Sequence, residues 1–164
     1  MLRPALLLTL LAALAAGCGE SEIDATEVEQ EIERQLSSAT AKVASVSCPD
    51  GVEHEDGQRF ECDVRLEGGG DATVVVTEED GDEFAYEVKP GSMRIAGDSV
   101  ESYLEGRLAA TGVSADVSCA DSITVIAGQT VECDAVTAGG RNATLTFTWA
   151  DDAGTVAPDS IETG

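Results

Sequence analysis

VSCPDGVEHEDGQRFECD, residues 46–63, returns 71 residues later as VSCADSITVIAGQTVECD, residues 117–134, with nine of 18 positions identical and no gap. The same offset pairs Gly69 with Gly140 and Thr73 with Thr144. A period of this length exceeds the roughly 20–50 residues of a solenoid unit and predicts a duplicated domain.

Working outward, each copy is preceded by a helical pattern. Val28, Ile32 and Leu36 in the first and Val100, Leu104 and Leu108 in the second recur every fourth residue, one apolar stripe per helix. Asp98 with Glu101 three residues on reads as an N-cap pair for the second helix. Four strand candidates follow in each copy. Residues 143–149 alternate Ala, Leu, Phe and Trp with Thr144, Thr146 and Thr148, and residues 72–78 carry the matching period of two. Asp80-Gly81 is a hairpin turn signal, and Asp151-Asp152-Ala153-Gly154 stands in the equivalent place. The expected fold is therefore α+β: a tandem duplication in which each copy packs an N-terminal helix on a small antiparallel four-stranded meander. The final strand of the second copy is poor, because Thr155-Val156-Ala157 runs into Pro158. Repeat boundaries fall at residues 26–89 and 98–164. Residues 90–97, with Pro90, Gly91 and Gly97, read as a linker whose Met93 and Ile95 are apolar enough to pack against a domain.

Composition leaves such domains marginal. Of the 164 residues 43% are hydrophobic but only 4% aromatic, so each core rests on aliphatic side chains that bury less area apiece. The cysteines supply the missing stability. Cys48 and Cys62 recur as Cys119 and Cys133, and of the three connectivities open to four cysteines only Cys48–Cys62 with Cys119–Cys133 respects the duplication. Such a bond contributes about 3 kcal/mol in the chain-entropy model. Zinc would want ligand pairs two to four residues apart or several histidines, and redox chemistry a close Cys-x-x-Cys pair; neither pattern is present, and no metal or cofactor is expected.

The fifth cysteine belongs to the start of the chain. MLRPALLLTLLAALAAGC has a positive charge at Arg3, an apolar run over residues 5–16 and a small-residue end, the build of a secretory signal and too short to span a bilayer. Leu14-Ala15-Ala16-Gly17-Cys18 resembles the lipobox of bacterial lipoproteins. The resemblance implies removal of residues 1–17 and lipidation of Cys18, followed by a tether over residues 18–25, with the protein exported and anchored to the outer face of the cell membrane. The competing reading is an ordinary signal cut near Ala15 that leaves Cys18 a free thiol. An odd cysteine in an exported chain disfavours it. Acylation would make the bilayer a partner through Cys18, since two or more chains anchor a protein stably.

The formal net charge of −23 becomes −24 on loss of Arg3. A surface of this sign repels nucleic acid, and a charged protein or small envelope ligand must be cationic.

The order helix, V-S-C-P, G-x-x-F-x-C, alternating strand resembles a family of bacterial envelope proteins known as domain of unknown function 4333. The matching residues are Val46-Ser47-Cys48-Pro49, Gly57, Phe60 and Cys62, then Val117-Ser118-Cys119, Gly128, Val131 and Cys133. The second copy departs with Ala120 for the proline and Val131 for the phenylalanine. The resemblance implies an exported disulfide-containing domain and brings no activity with it.

Catalysis has little to work with. Nucleophilic triads need a histidine base, and His54 is the only histidine; its counterpart is Val125, and it reads as a solvated surface residue among acids. With 32 acidic residues no carboxylate pair stands out. The run at 78–83 reads as a charged hairpin tip in preference to a calcium loop, which would be flanked by helices. Trp149 reads as core on its alternating row, with interface binding as the competing use. A non-catalytic, membrane-anchored module that binds or displays a ligand is expected. The alternative is a proteinaceous inhibitor of a hydrolase, by fold-level resemblance to β-lactamase inhibitory protein, which would present exposed aromatics on a sheet shared by both copies.

Overall fold

The computed structural model describes residues 22–79 and 83–164. The expected signal segment and Cys18 lie outside the described residues, as do residues 80–82 of the acidic run. The described residues form an α+β fold with two helices, antiparallel sheets and two disulfides. No helix among the described residues is long and apolar enough to cross a membrane.

Helix α1 (Ala25–Leu36) starts where Asp24 accepts the N–H of Thr26 at 2.9 Å, with Glu27 in the first turn and Arg34 in the last, both favourable to the helix dipole. Its expected stripe, Val28, Ile32 and Leu36, is buried. A meander follows: β1 (Val43–Ser47), β2 (Arg59–Leu66), β3 (Asp71–Glu79) and β4 (Glu83–Val88). Along β3 the side chains of Ala72, Val74, Val76 and Glu78 are buried, while the intervening positions are half-buried. That face carries the period-two pattern, with a carboxylate at its end.

Residues 90–97, expected as a linker, contain strand β5 (Arg94–Ala96). It meets β3 at Asp71↔Arg94 and pairs along its length with β7 (Ser122–Thr124), so the first sheet receives a strand from the second half of the chain. Met93 and Ile95 are 0% and 1% exposed, buried as their apolar character requires. Helix α2 (Gly97–Ala110) departs directly from β5. The expected N-cap at Asp98 is corrected: Ala96 holds the capping position without a side-chain bond, and Asp98 lies in the first turn. Gly97 N–H is already taken by Asp121 O at 2.9 Å, so strand pairing runs into the helix and leaves no separate capping turn.

The second sheet has the order β10-β9-β8-β6, from β6 (Ala115–Ser118), β8 (Thr130–Thr137), β9 (Asn142–Thr148) and β10 (Glu162–Thr163). Its last strand differs from the one expected. Residues 155–157 form a single bridge, Trp149↔Val156, and the ladder resumes only at β10. The turn before that bridge reaches the first half, where Thr40 donates its hydroxyl proton to Gly154 O. Asp151-Asp152-Ala153-Gly154 is the turn expected, closed by Ala150 N–H to Thr155 O at 2.7 Å, and it serves at the same time as a docking loop against the first half. One apolar cluster runs through both halves, from Val28 and Val74 through Met93 and Ile95 to Leu145 and Phe147.

Corresponding contacts recur at a spacing of 71 or 72 residues. Glu22 bridges Glu53 as Arg94 pairs with Thr124, and Gly57 N–H reaches Glu78 O as Gly128 N–H reaches Trp149 O. Cys48 joins Cys62 and Cys119 joins Cys133, each bond crossing from the end of one strand to its neighbour. The Cα separations, 4.3 and 4.5 Å, suit directly opposed cross-strand residues.

Candidate functional site: a groove beside helix α1

Register carries Phe84, Tyr86 and Val88 to the helix face of the sheet, opposite Glu78, Val76 and Val74. Those β3 partners are buried, whereas the three β4 side chains are only half-buried, because α1 packs toward β1 and leaves the β4 margin partly open. The result is a groove with α1 as one wall and β4 as the other. Its larger part, about 650 Å³, runs along Val28 and Glu31 of α1 past His54, Phe84 and Tyr86. A smaller part, about 300 Å³, continues over Ile32, Leu36, Val74 and Val88 and shares Gln35 and Tyr86 with the first. Asp151, Asp152 and Ala153 of the docking loop line that second part, so residues of the second half contribute to a groove of the first.

The rim is acidic. Glu22, Asp24, Glu27, Glu31, Glu79 and Glu83 line the larger part, and neither part has Lys or Arg in its lining. Arg34 pairs with Glu31 from the exposed side of α1. Hydrogen bonds from Gln35 and Arg34 hold the Glu31 carboxyl below the usual carboxylate range. Burial pushes the Tyr86 phenol up, and the Glu31 charge adds to it.

His54 is not the solvated residue expected. Its side chain is 24% exposed, its Nδ1 lies 2.7 Å from Glu78 Oε1, and its ring tilts against Phe84 at 6.4 Å. Glu78 is 4% exposed and also accepts the N–H of Glu55 at 3.0 Å. The bond to His54, with the Glu55 N–H adding to it, holds the Glu78 carboxyl low against the opposing effect of desolvation. The sequence reading missed this pair because Glu78 sits in an acidic run and its role depends on a partner 24 residues away. One signal was available: Glu78 continues the buried alternation of β3.

At the corresponding positions the second half has Val125 and Trp149, 0% and 1% exposed. Trp149 is core, packed edge-to-face on Phe147 with centroids 5.0 Å apart. The acidic run divides: Glu78 turns inward to His54, Glu79 and Glu83 line the groove, and residues 80–82 lie outside the described residues. Among the described residues Phe60, Phe84, Tyr86 and Tyr103 are half-buried, and Phe147 and Trp149 are buried.

Residues 7–82 match a family model described as Domain of unknown function (DUF4333), a stretch just under half of the chain that contains α1, β1 to β3 and the Cys48–Cys62 bond. No curated protein matches the chain. No solved structure matches it either.

Proposed function

We propose that the chain is an exported lipoprotein, anchored to the outer face of the cell membrane through acylated Cys18, whose two halves are copies of one disulfide-stapled domain and which acts there as a non-catalytic binding module. The observation that carries the binding role is the groove beside α1, where Phe84, Tyr86 and Val88 are left half covered by the chain's own side chains. Binding sites pair an apolar floor with a few polar groups that orient the ligand, and this groove has both.

The duplication is supported by the recurrence of the disulfides and of the strand pairings around them. Export is supported by the bonds themselves, since paired cysteines persist in oxidising compartments. The non-catalytic reading draws on His54, whose imidazole is engaged with buried Glu78. The anchor rests on the lipobox resemblance at residues 14–18 and on the fifth cysteine.

Crosslinking the protein in intact cells and identifying captured partners by mass spectrometry tests the binding role, with Cys18→Ser as the second arm. The expected result is a partner whose crosslinks map to α1 or β4, and release of the Cys18→Ser chain from the membrane fraction. Mass spectrometry finding Cys18 unmodified on membrane-bound protein would remove the anchor, and a chain that turns over a substrate unaided would remove the non-catalytic role.

A further inference from the structure

We propose that β4 is a docking edge that takes an extended, basic segment of a partner protein as an added strand, with alternate side chains of that segment entering the groove. The proposal deepens the binding-module reading and rests on it.

Three independent features converge on β4. First, its outer edge is open. Lys89 N–H donates to Thr73 O at 2.9 Å, in register with the Val74↔Val88 pair. The antiparallel alternation therefore turns Glu83, Ala85 and Glu87 toward β3 and points the N–H and C=O groups of Phe84, Tyr86 and Val88 away from it. Among the named strands β4 pairs only with β3. Second, the residues with outward-facing backbone groups are those whose side chains form the groove wall. A strand added there gains main-chain hydrogen bonds while its alternate side chains drop beside Phe84 and Tyr86, the arrangement of β-augmentation. Third, the rim selects charge. Carboxylates flank the groove without Lys or Arg in its lining, and Arg or Lys on the incoming strand would find them as well as the faces of Phe84 and Tyr86.

The same charge argues against a second copy as occupant. Two such edges would bring Glu83 and Glu87 of one chain against those of another, on proteins of net charge −23. The second half does not offer an equivalent edge, since β10 is two residues long where β4 has six. The docking loop at Asp151 to Ala153 closes the Val88 end, so the segment extends outward from the Phe84 end.

The test uses the full chain in zwitterionic micelles and a capped seven-residue peptide of alternating arginine and valine. Comparison probes are its glutamate–valine counterpart and two versions of the arginine peptide, N-methylated on one or the other alternate set of amides. Titration calorimetry reads affinity, empty micelles serve as the blank, and hydrogen exchange reads the amides of Phe84, Tyr86 and Val88. The arginine peptide is expected to bind and slow exchange at those three amides, and the glutamate peptide to do neither. One methylation register should cost about tenfold or more in affinity and the other little, because only one set of amides faces β4. Equal effects of the two registers, binding without protection at β4, or equal binding of the acidic peptide would each overturn the proposal. So would concentration-dependent protection of the same amides without peptide, which would make a second copy the occupant. A failed peptide test alongside a partner crosslinked elsewhere removes only this assignment and leaves the binding module standing.

Discussion

The backbone N–H of Cys48 donates to the side chain of Glu29 on α1, N to Oε1 at 2.9 Å, and the same bond joins Cys119 to Glu101 on α2 at 2.8 Å. Each helix is thereby tied to the strand end where its disulfide begins. Carboxylate-to-amide bonds are charge-assisted and stronger than neutral ones. Glu29→Ala or Glu101→Ala should each cost about 1–2 kcal/mol by leaving a half-buried N–H without its acceptor, and Glu29→Gln much less. Urea unfolding of the three variants measures this.

Each disulfide closes a loop of sequence separation 14. Replacing both Cys48 and Cys62 by alanine should lower stability by about 3 kcal/mol in the chain-entropy model, and Cys119 with Cys133 by about the same. The comparison is made by denaturant midpoint at constant slope; an unchanged midpoint in both pairs would mean that the bonds contribute nothing to the fold.

At Gly70 β5 approaches the first half closely. A Cβ there would stand 2.2 Å from Arg94 O and 3.0 Å from Leu66 Cδ1, both fixed by packing, whereas one on Gly139 meets only Thr137 Oγ1 at 3.9 Å. Gly70→Ala should destabilise by about 1–3 kcal/mol, since the strand junction must shift. Gly139→Ala should leave stability unchanged or raise it by up to about 1 kcal/mol. Paired thermal melts decide the sign of each.

The shared core predicts that the two halves melt together. Ile32→Ala on α1, at a site 1% exposed, should cost about 2–5 kcal/mol by opening a cavity. Trp149, the only tryptophan, sits in the second half and reports on it. Its fluorescence midpoint should fall with the far-UV circular dichroism midpoint in the Ile32→Ala chain, as one cooperative unit requires. A tryptophan transition that stays put while the dichroism midpoint drops would show two independent folding units.

Acid should find Glu78. Its carboxyl is held below the ordinary value in the folded chain, chiefly by the bond to His54, so the unfolded state takes up the proton first. The stabilisation is complete above the unfolded value and is lost as pH falls through the lower, folded one. Stability of the natural chain should therefore drop more steeply below about pH 4.5 than that of Glu78→Gln, which lacks the titrating group. Urea midpoints taken from pH 6 to pH 3 provide the comparison, and parallel curves would contradict it.

Much of this fold is local and was readable as such. The α1 stripe of Val28, Ile32 and Leu36 and the alternation of β3 and β9 express periods of 3.6 and 2, which short-range geometry imposes on any helix or half-buried strand. The cysteine pairing was legible because the recurrence of residues 46–63 at 117–134 singles out one of three connectivities. The groove was not legible, since it exists only where α1, packed toward β1, leaves Phe84, Tyr86 and Val88 half covered.

By itself the amino-acid sequence determined the two helices and the main strands of each half, the sign of the surface charge and which cysteines join, because these follow from neighbours in the chain and from internal repetition. Tertiary structure alone decided that β5 and β7 would fuse the halves into one core, that Gly154 would dock on Thr40, and that His54 would meet Glu78. Those contacts join residues distant along the chain, and they are selected by the burial of Met93 and Ile95 and by the need to pair buried Thr40 and Glu78, which no local pattern records.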